Sequence, residues 1–218
     1  MNGSTLTLSS PAAATAYGGI GPPAEPGGNT LTTNIDDRFS GAVYRQGNFL
    51  YTAQNVSSGG RGAVRWIIYD LSLGTVAHEG LIGDPNHDYT YGSIAVDAAG
   101  EAVIGFTRSS DSEFASAYAV FGTTDGTGNL VFGAPILLKA GSGINLDGRW
   151  GDYSSTVLDP SNPGHFWTIQ EFADASGAWN PQITELIATT DAPEPGTLVL
   201  AGLGVALAGI RRRRITVN

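Results

Sequence analysis

The stretch Asp147-Gly148-Arg149-Trp150-Gly151-Asp152-Tyr153 carries the residue types best suited to chemistry in this chain. Arg149 can clamp a carboxylate, while Asp152 and Tyr153 can supply an acid or a nucleophile. An earlier cluster, Asp36-Asp37-Arg38-Phe39, gives Arg38 the same acidic and aromatic neighbours. A second interpretation is structural, with each arginine forming a buried ion pair with a nearby aspartate that fastens one unit of the fold to the next. The candidate ligand-binding residues are Arg38, Asp147, Arg149, Asp152 and Tyr153.

Composition excludes several other kinds of site. The chain has no cysteine, so disulfides, thiolate zinc sites and cysteine nucleophiles are absent. Its three histidines lack the spacing of a helical zinc site, and we predict neither a metal nor a cofactor. The net charge is −9, and it is −13 without the four arginines near the carboxyl end, which argues against a nucleic-acid partner.

Short strands of alternating apolar and polar residues must position the candidate residues. Three hairpins are predicted, each with a Gly- or Asn-containing turn and each followed by one or two further strands. A four-stranded unit that recurs about every 50 to 60 residues is typical of a β-propeller blade. The predicted fold is all-β, a β-propeller-like repeat of four-stranded antiparallel blades, with about three blades in an incomplete ring. The predicted hairpins are Phe39–Val43 with Phe49–Gln54, Ser93–Val96 with Ala102–Thr107, and Ser155–Leu158 with His165–Gln170, and the further strands are Ala63–Asp70, Thr75–Glu79, Ala115–Gly122, Ala134–Lys139 and Pro181–Ala188.

Two segments, RWGDYSSTVLDPSNPGHFWTIQEFA and YGSIAVDAAGEAVIGFTRSS, resemble the sialidase-like or BNR-like propeller superfamily. The resemblance implies a blade architecture whose loops converge on a ligand. Sialidases require an arginine triad, a Tyr/Glu nucleophile pair and an acidic Asp, and only Arg38 and Arg149 stand at matching positions here. A sialidase-like glycoside hydrolase that acts on extracellular glycans is therefore the alternative to a protein without catalysis.

The carboxyl-terminal segment has three consecutive parts. Pro193-Glu194-Pro195 interrupts regular structure and leaves an accessible extended stretch. The run from Thr197 to Ile210 has no charged residue. As a helix it would be about 21 Å long, which is short for a hydrocarbon core of about 30 Å. Four arginines, Arg211, Arg212, Arg213 and Arg214, follow this run and favour the cytoplasmic side of a membrane.

This order of parts resembles the PEP-CTERM sorting signal of Gram-negative bacteria. The resemblance implies cleavage at Pro193-Glu194-Pro195 by an exosortase, a transient inner-membrane anchor through residues 197–210, and delivery to the cell surface or extracellular matrix. The amino terminus lacks a recognisable secretion signal, so we expect the chain to be the carboxyl-terminal part of a longer product or to have a misassigned start.

These observations predict a division into four segments. Residues 1–33 are a flexible Gly-, Pro-, Ser- and Thr-rich segment, 34–190 the β-propeller-like domain, 191–214 the sorting signal with its hydrophobic helix, and 215–218 a tail. The leading functional hypothesis is an exported protein with a binding or structural body in an extracellular matrix. An extracellular polysaccharide is its expected ligand.

Overall fold

The computed structural model describes residues 15–31, 37, 39 and 41–188, and these form an all-β body. A short 3-10 turn, Pro26–Gly28, interrupts the strands. The strands are β1 (Ala24–Glu25), β2 (Asn29–Thr30), β3 (Tyr44–Gln46), β4 (Phe49–Ser58), β5 (Arg61–Asp70), β6 (Thr75–Ile82), β7 (Asp88–Val96), β8 (Glu101–Ser110), β9 (Glu113–Thr124), β10 (Leu130–Phe132), β11 (Ile136–Lys139), β12 (Ser155–Leu158), β13 (His165–Ala173) and β14 (Trp179–Ile187).

Three antiparallel sheets follow one another along the chain. The first sheet has the order β3-β4-β5-β6 and the third has the order β12-β13-β14. In the second sheet β7, β8 and β9 pair in sequence, and β10 and β11 both pair with β9. Each sheet is thus a meander of neighbouring strands, which is the arrangement that hairpins with short turns produce. Strands β1 and β2 form a separate two-stranded hairpin.

The second sheet lies between the other two. Its strand β7 contacts β4 and β5 of the first sheet, and its strands β8 and β9 contact β13 of the third sheet. Trp66, Ile94 and Phe106 belong to the apolar core between the first and second sheets. Val103 and Phe166 belong to the core between the second and third sheets. Because both faces of the second sheet are covered, nearly every residue of β7 and β8 is buried, as expected of strands packed on two sides.

A turn of the form Asp-x-x-Gly recurs between neighbouring strands. At the turn from β7 to β8, Asp97 accepts the N–H groups of Ala99 and Glu101 through Oδ1, both at 2.9 Å. Gly100 closes this turn with φ +84°, a conformation that side chains with a Cβ disfavour. The aspartate therefore takes up backbone donors that the tight turn leaves without a strand partner. Asp125 and Asp174 make the same pair of hydrogen bonds in their turns.

The all-β class and the second and third predicted hairpins are confirmed. One strand prediction was wrong, because Phe39 and Val43 are exposed and the first strand of the first hairpin is Tyr44–Gln46. Gly47, with φ +58°, allows Gln46 to pair directly with Phe49, so the turn is shorter than we expected. Strand β10 was not predicted, and the sheets have four, five and three strands rather than four each.

Other predictions stay open. The predicted carboxyl-terminal helix lies outside the described residues, and the division into four segments remains a prediction. Within the segment 1–33, which we expected to be flexible, residues 24–30 form the small hairpin of β1 and β2. Among residues 15–31, 37, 39 and 41–188, no helix is long and apolar enough to cross a membrane.

Candidate functional site

Four of the five candidate residues lie on one loop, residues 140–154, which joins β11 to β12. This loop carries Asp147, Arg149, Asp152 and Tyr153. Arg38 lies outside the described residues. Its neighbour Asp37 is described, and its backbone carbonyl accepts a hydrogen bond from the Gln54 side-chain amide at 2.8 Å.

Trp150 and Gly151 anchor the loop in the interior. The buried indole of Trp150 donates from Nε1 to the Thr107 hydroxyl of β8 at 3.2 Å. Gly151 has φ +92°, and a Cβ at this position would lie 1.8 Å from the ring of Tyr91. No other residue type fits at Gly151 without displacing the tyrosine, so this part of the motif is explained by packing.

A buried carboxylate holds the next turn of the loop. Glu171 of β13 accepts the backbone N–H of Gly151 at 2.6 Å and that of Tyr153 at 3.0 Å. Burial raises the pKa of the Glu171 carboxyl above its usual value, although both hydrogen bonds oppose the rise. Since both of its carboxylate oxygens accept hydrogen bonds from the loop backbone, Glu171 has a structural role here.

The side chains of Arg149, Asp152 and Tyr153 remain at the surface. Arg149 and Asp152 form an ion pair in which both side chains are at least half exposed. The Tyr153 ring stacks on Trp179 of β14, with centroids 4.8 Å apart and an interplanar angle of 27°. The backbone N–H of Trp179 donates to the Asp147 carboxylate at 3.0 Å, which ties β14 to the same loop. Arg149, Asp152, Tyr153 and Trp179 border a cleft of about 120 Å³ whose lining also includes Trp150 and Glu171.

The exposure of the Arg149–Asp152 pair bears on both sequence interpretations. The pair forms, as the structural interpretation requires, but it is exposed rather than buried. An exposed ion pair contributes only about 0–1 kcal/mol, so Trp150, Gly151 and Glu171 hold the loop much more firmly. Arg149 and Asp152 can therefore exchange their partner for a ligand at little cost in stability. Together with the Tyr153 ring they offer hydrogen-bonding groups beside an aromatic face, a combination suited to a polar ring with C–H faces.

A layer of polar side chains lies between the second and third sheets beside this loop. Gln170 of β13 donates to the hydroxyls of Ser93 at 3.1 Å and Thr168 at 3.0 Å. The Ser154 hydroxyl donates to the Gln170 carbonyl at 2.9 Å, and Thr156 joins the network through Ser93 and Thr168. The sequence analysis missed this layer, although a glutamine inside the apolar strand HFWTIQEFA was a signal for it.

A second group of charged residues lies near the turn from β8 to β9. Arg108 binds both carboxylate oxygens of Glu113, at 2.7 and 3.1 Å, and Glu113 also accepts the Tyr118 hydroxyl at 2.6 Å. Burial, followed by the contact with Glu113, raises the pKa of Tyr118. His87 bonds Asp84 at 2.8 Å, a contact that lowers the pKa of Asp84. The charged and polar groups of this cluster satisfy one another's hydrogen-bonding capacity, which favours a structural role for the cluster.

Comparison with known proteins gives one match. Residues 191–214 match the PEP-CTERM protein-sorting motif. The matched segment includes Pro193, Glu194, Pro195 and the four arginines, all of which lie outside the described residues. The motif implies processing by an exosortase, export, and sorting to the cell surface. No curated protein matches the chain.

Proposed function

We propose that this protein is exported and held transiently in the inner membrane through residues 197–210. An exosortase then cuts it at Pro193-Glu194-Pro195, and its β-sheet body binds an extracellular polysaccharide at the cell surface or in the extracellular matrix. The match of residues 191–214 to the sorting motif carries the first part of this proposal. The order of the three parts of this segment supports the export step physically. The segment has a helix-breaking element, then an uncharged run, then Arg211–Arg214, and the arginines favour the cytoplasmic side and leave the body outside.

Ligand binding is assigned to the cleft of the 140–154 loop. Tyr153 and Trp179 supply an aromatic face, and Arg149 and Asp152 supply a donor fork and an acceptor at its rim. A sugar ring can stack its C–H face on the aromatic pair and exchange hydroxyl hydrogen bonds with the charged groups. The acidic composition is consistent with a soluble body that acts outside the cell.

The sorting step is tested by replacing Pro193, Glu194 and Pro195 with alanine in a bacterium that has an exosortase. We expect the body to accumulate uncut in the inner-membrane fraction. The matched control replaces the adjacent Thr189 and Thr190 with alanine and should reach the surface normally. Normal surface delivery of the first variant would refute the sorting proposal.

Binding is tested by affinity electrophoresis in gels that contain the extracellular polysaccharide of the producing bacterium. Arg149→Ala and Tyr153→Ala should each abolish the retardation seen with the unaltered protein. Arg45→Ala is the control, because Arg45 is exposed in the first sheet, away from the loop. Equal retardation of all four proteins would exclude the cleft as the binding site.

A further inference from the structure

A cavity of about 300 Å³ lies on the outer face of the first sheet, the face turned away from the second sheet. Val56 and Ser57 of β4, Arg65 of β5 and residues 79–81 of β6 line one side of it. Residues 15–18 line the other side, where the Ser57 N–H donates to the Gly18 carbonyl at 2.9 Å. The covering segment is thus fixed to β4, and the cavity has walls on two sides.

Arg65 is the unusual residue of this cavity. It stands in the otherwise apolar strand segment AVRWIIYD and is only 4% exposed. Its Nη2 donates to one oxygen of Glu79, and the Thr15 hydroxyl donates to the other. Its Nη1 is buried and has no hydrogen-bond partner among the described residues. A buried guanidinium nitrogen without an acceptor is unfavourable, so this site calls for an oxygen that the described chain does not supply.

The surrounding groups define the ligand that would supply this oxygen. Arg65 and Glu79 compensate each other, so the cavity carries no net charge, and the whole chain is acidic. An uncharged oxygen is therefore favoured over a carboxylate. The Tyr17 ring, 48% exposed and 5.5 Å from the Arg65 guanidinium carbon, adds an aromatic face, while Ser57 and Thr15 add hydroxyls.

From this arrangement we infer that the cavity binds one neutral pyranose unit. A ring hydroxyl accepts from Nη1 of Arg65, a second hydroxyl donates to Glu79, and the C–H face of the sugar covers Tyr17. The volume is at the lower end for small-molecule sites, which suits a single sugar ring. This site shares no residue with the cleft at Tyr153, so it does not depend on the function proposed above.

Saturation-transfer difference NMR on the full-length protein tests the inference. The probes are methyl β-glucopyranoside, methyl β-galactopyranoside and N-acetylglucosamine, with glucuronate as the charged comparison. We expect at least one neutral probe to bind with a Kd in the millimolar range, and glucuronate to bind at least about tenfold more weakly. Absence of signal from every neutral probe at about 50 mM, or equal binding of glucuronate, would overturn the inference.

Matched variants locate the signal. Tyr17→Ala and Arg65→Lys should each weaken binding at least about tenfold, because one removes the aromatic face and the other removes the donor fork while keeping the charge. The variants are compared in a Tyr153→Ala background, which removes the aromatic face of the other cleft. Phe49→Ala is the control, since Phe49 is 37% exposed and lines neither this cavity nor that cleft. If circular dichroism shows that Arg65→Lys does not fold, the result for Tyr17→Ala alone decides whether the sugar binds in this cavity. Unchanged binding in Tyr17→Ala, or its loss in Phe49→Ala, would contradict this assignment.

Discussion

Substitution of Gly105 by alanine tests how closely the second and third sheets approach. Gly105 of β8 pairs with Ser93 on one side and Ala119 on the other. A Cβ on Gly105 would lie 2.3 Å from Gln170 Nε2 and 2.3 Å from Thr168 Oγ1. Since ordinary contacts begin near 3.4 Å, either Gln170 must leave its position or the two sheets must separate by about 1 Å.

The expected destabilisation has two parts. Overpacking a well-filled interior costs about 1–3 kcal/mol. Displacing Gln170, which is fully buried, also breaks its hydrogen bonds to Ser93, Thr168 and Ser154. Each buried polar group left without a partner costs about 1–3 kcal/mol. We expect Gly105→Ala to lower the free energy of unfolding by about 3–5 kcal/mol, which for a chain of this size lowers Tm by about 10–15 °C.

Urea unfolding followed by tryptophan fluorescence measures this loss. Gly126→Ala is the matched control, because nothing lies within 4 Å of its added methyl group. It should change the free energy of unfolding by less than about 0.5 kcal/mol. Truncation of Gln170 to alanine in the Gly105→Ala background removes one of the two groups that the methyl group meets, the other being Thr168 Oγ1, so the two effects should be less than additive by about 1–2 kcal/mol. Equal midpoints for Gly105→Ala and Gly126→Ala, or strict additivity of the pair, would refute the face-to-face packing of the two sheets.

Four further predictions concern other parts of the body. Phe166→Ala should lower the free energy of unfolding by about 3–5 kcal/mol in urea, because this fully buried ring fills the core between the second and third sheets. Gly151→Ala should lower Tm in a thermal scan well beyond Gly148→Ala, since both have positive φ but only Gly151 is blocked by a ring. The pKa of Glu171 is raised from 4.5 in the folded protein, so the stability that protonated Glu171 contributes is complete below pH 4.5. This stability is lost as the pH rises through the folded-state pKa. Between pH 5 and 8, Tm of Glu171→Gln should therefore fall less than Tm of the unaltered protein. Hydrogen bonds from Ser161, Asn162 and Trp167 lower the pKa of Asp159 from 3.8 to about 2, so Asp159→Asn should flatten the loss of Tm as pH falls through that interval.

Much of the strand pattern could be predicted from sequence because local signals determine it. Strand β12 begins and ends where alternation and the Asp159 turn predicted, and β13 and β14 lie within a few residues of the expected bounds. The first hairpin was misplaced because apolar residues near Phe39 imitate a strand, whereas the actual pairing is set by the tight turn at Gly47. Strand β10 has three residues, too few for alternation to identify.

The role of the candidate residues stays a prediction, and the sequence could suggest the residues but not their surroundings. The sequence drew attention to Asp147, Arg149, Asp152 and Tyr153, and these do lie on one loop. It could not indicate that Trp179, distant in sequence, would stack on Tyr153, because that contact depends on how the loop folds over β14. Nor did it identify Arg65, although a charged residue at the centre of an apolar strand usually has a specific partner or role.

Two buried carboxylates explain how a loop of this length can present ordered side chains. Glu25, contributed by the β1–β2 hairpin, accepts the N–H groups of Asn145 at 3.0 Å and Ala115 at 3.4 Å. Glu171 accepts those of Gly151 and Tyr153. Burial raises the pKa of both carboxyls, and the hydrogen bonds from the backbone that each carboxyl fixes oppose this rise.

These two carboxylates therefore tether the 140–154 loop near its middle and near its end, in addition to the Trp150 anchor. Loops of this length without secondary structure are uncommon in compact domains unless they carry function. Because the tethers use backbone N–H groups and the anchor uses Trp150, the side chains of Arg149, Asp152 and Tyr153 are not needed to hold the loop. Replacing these three should thus alter ligand binding while leaving the free energy of unfolding within about 1 kcal/mol of its original value, since exposed groups contribute little to stability.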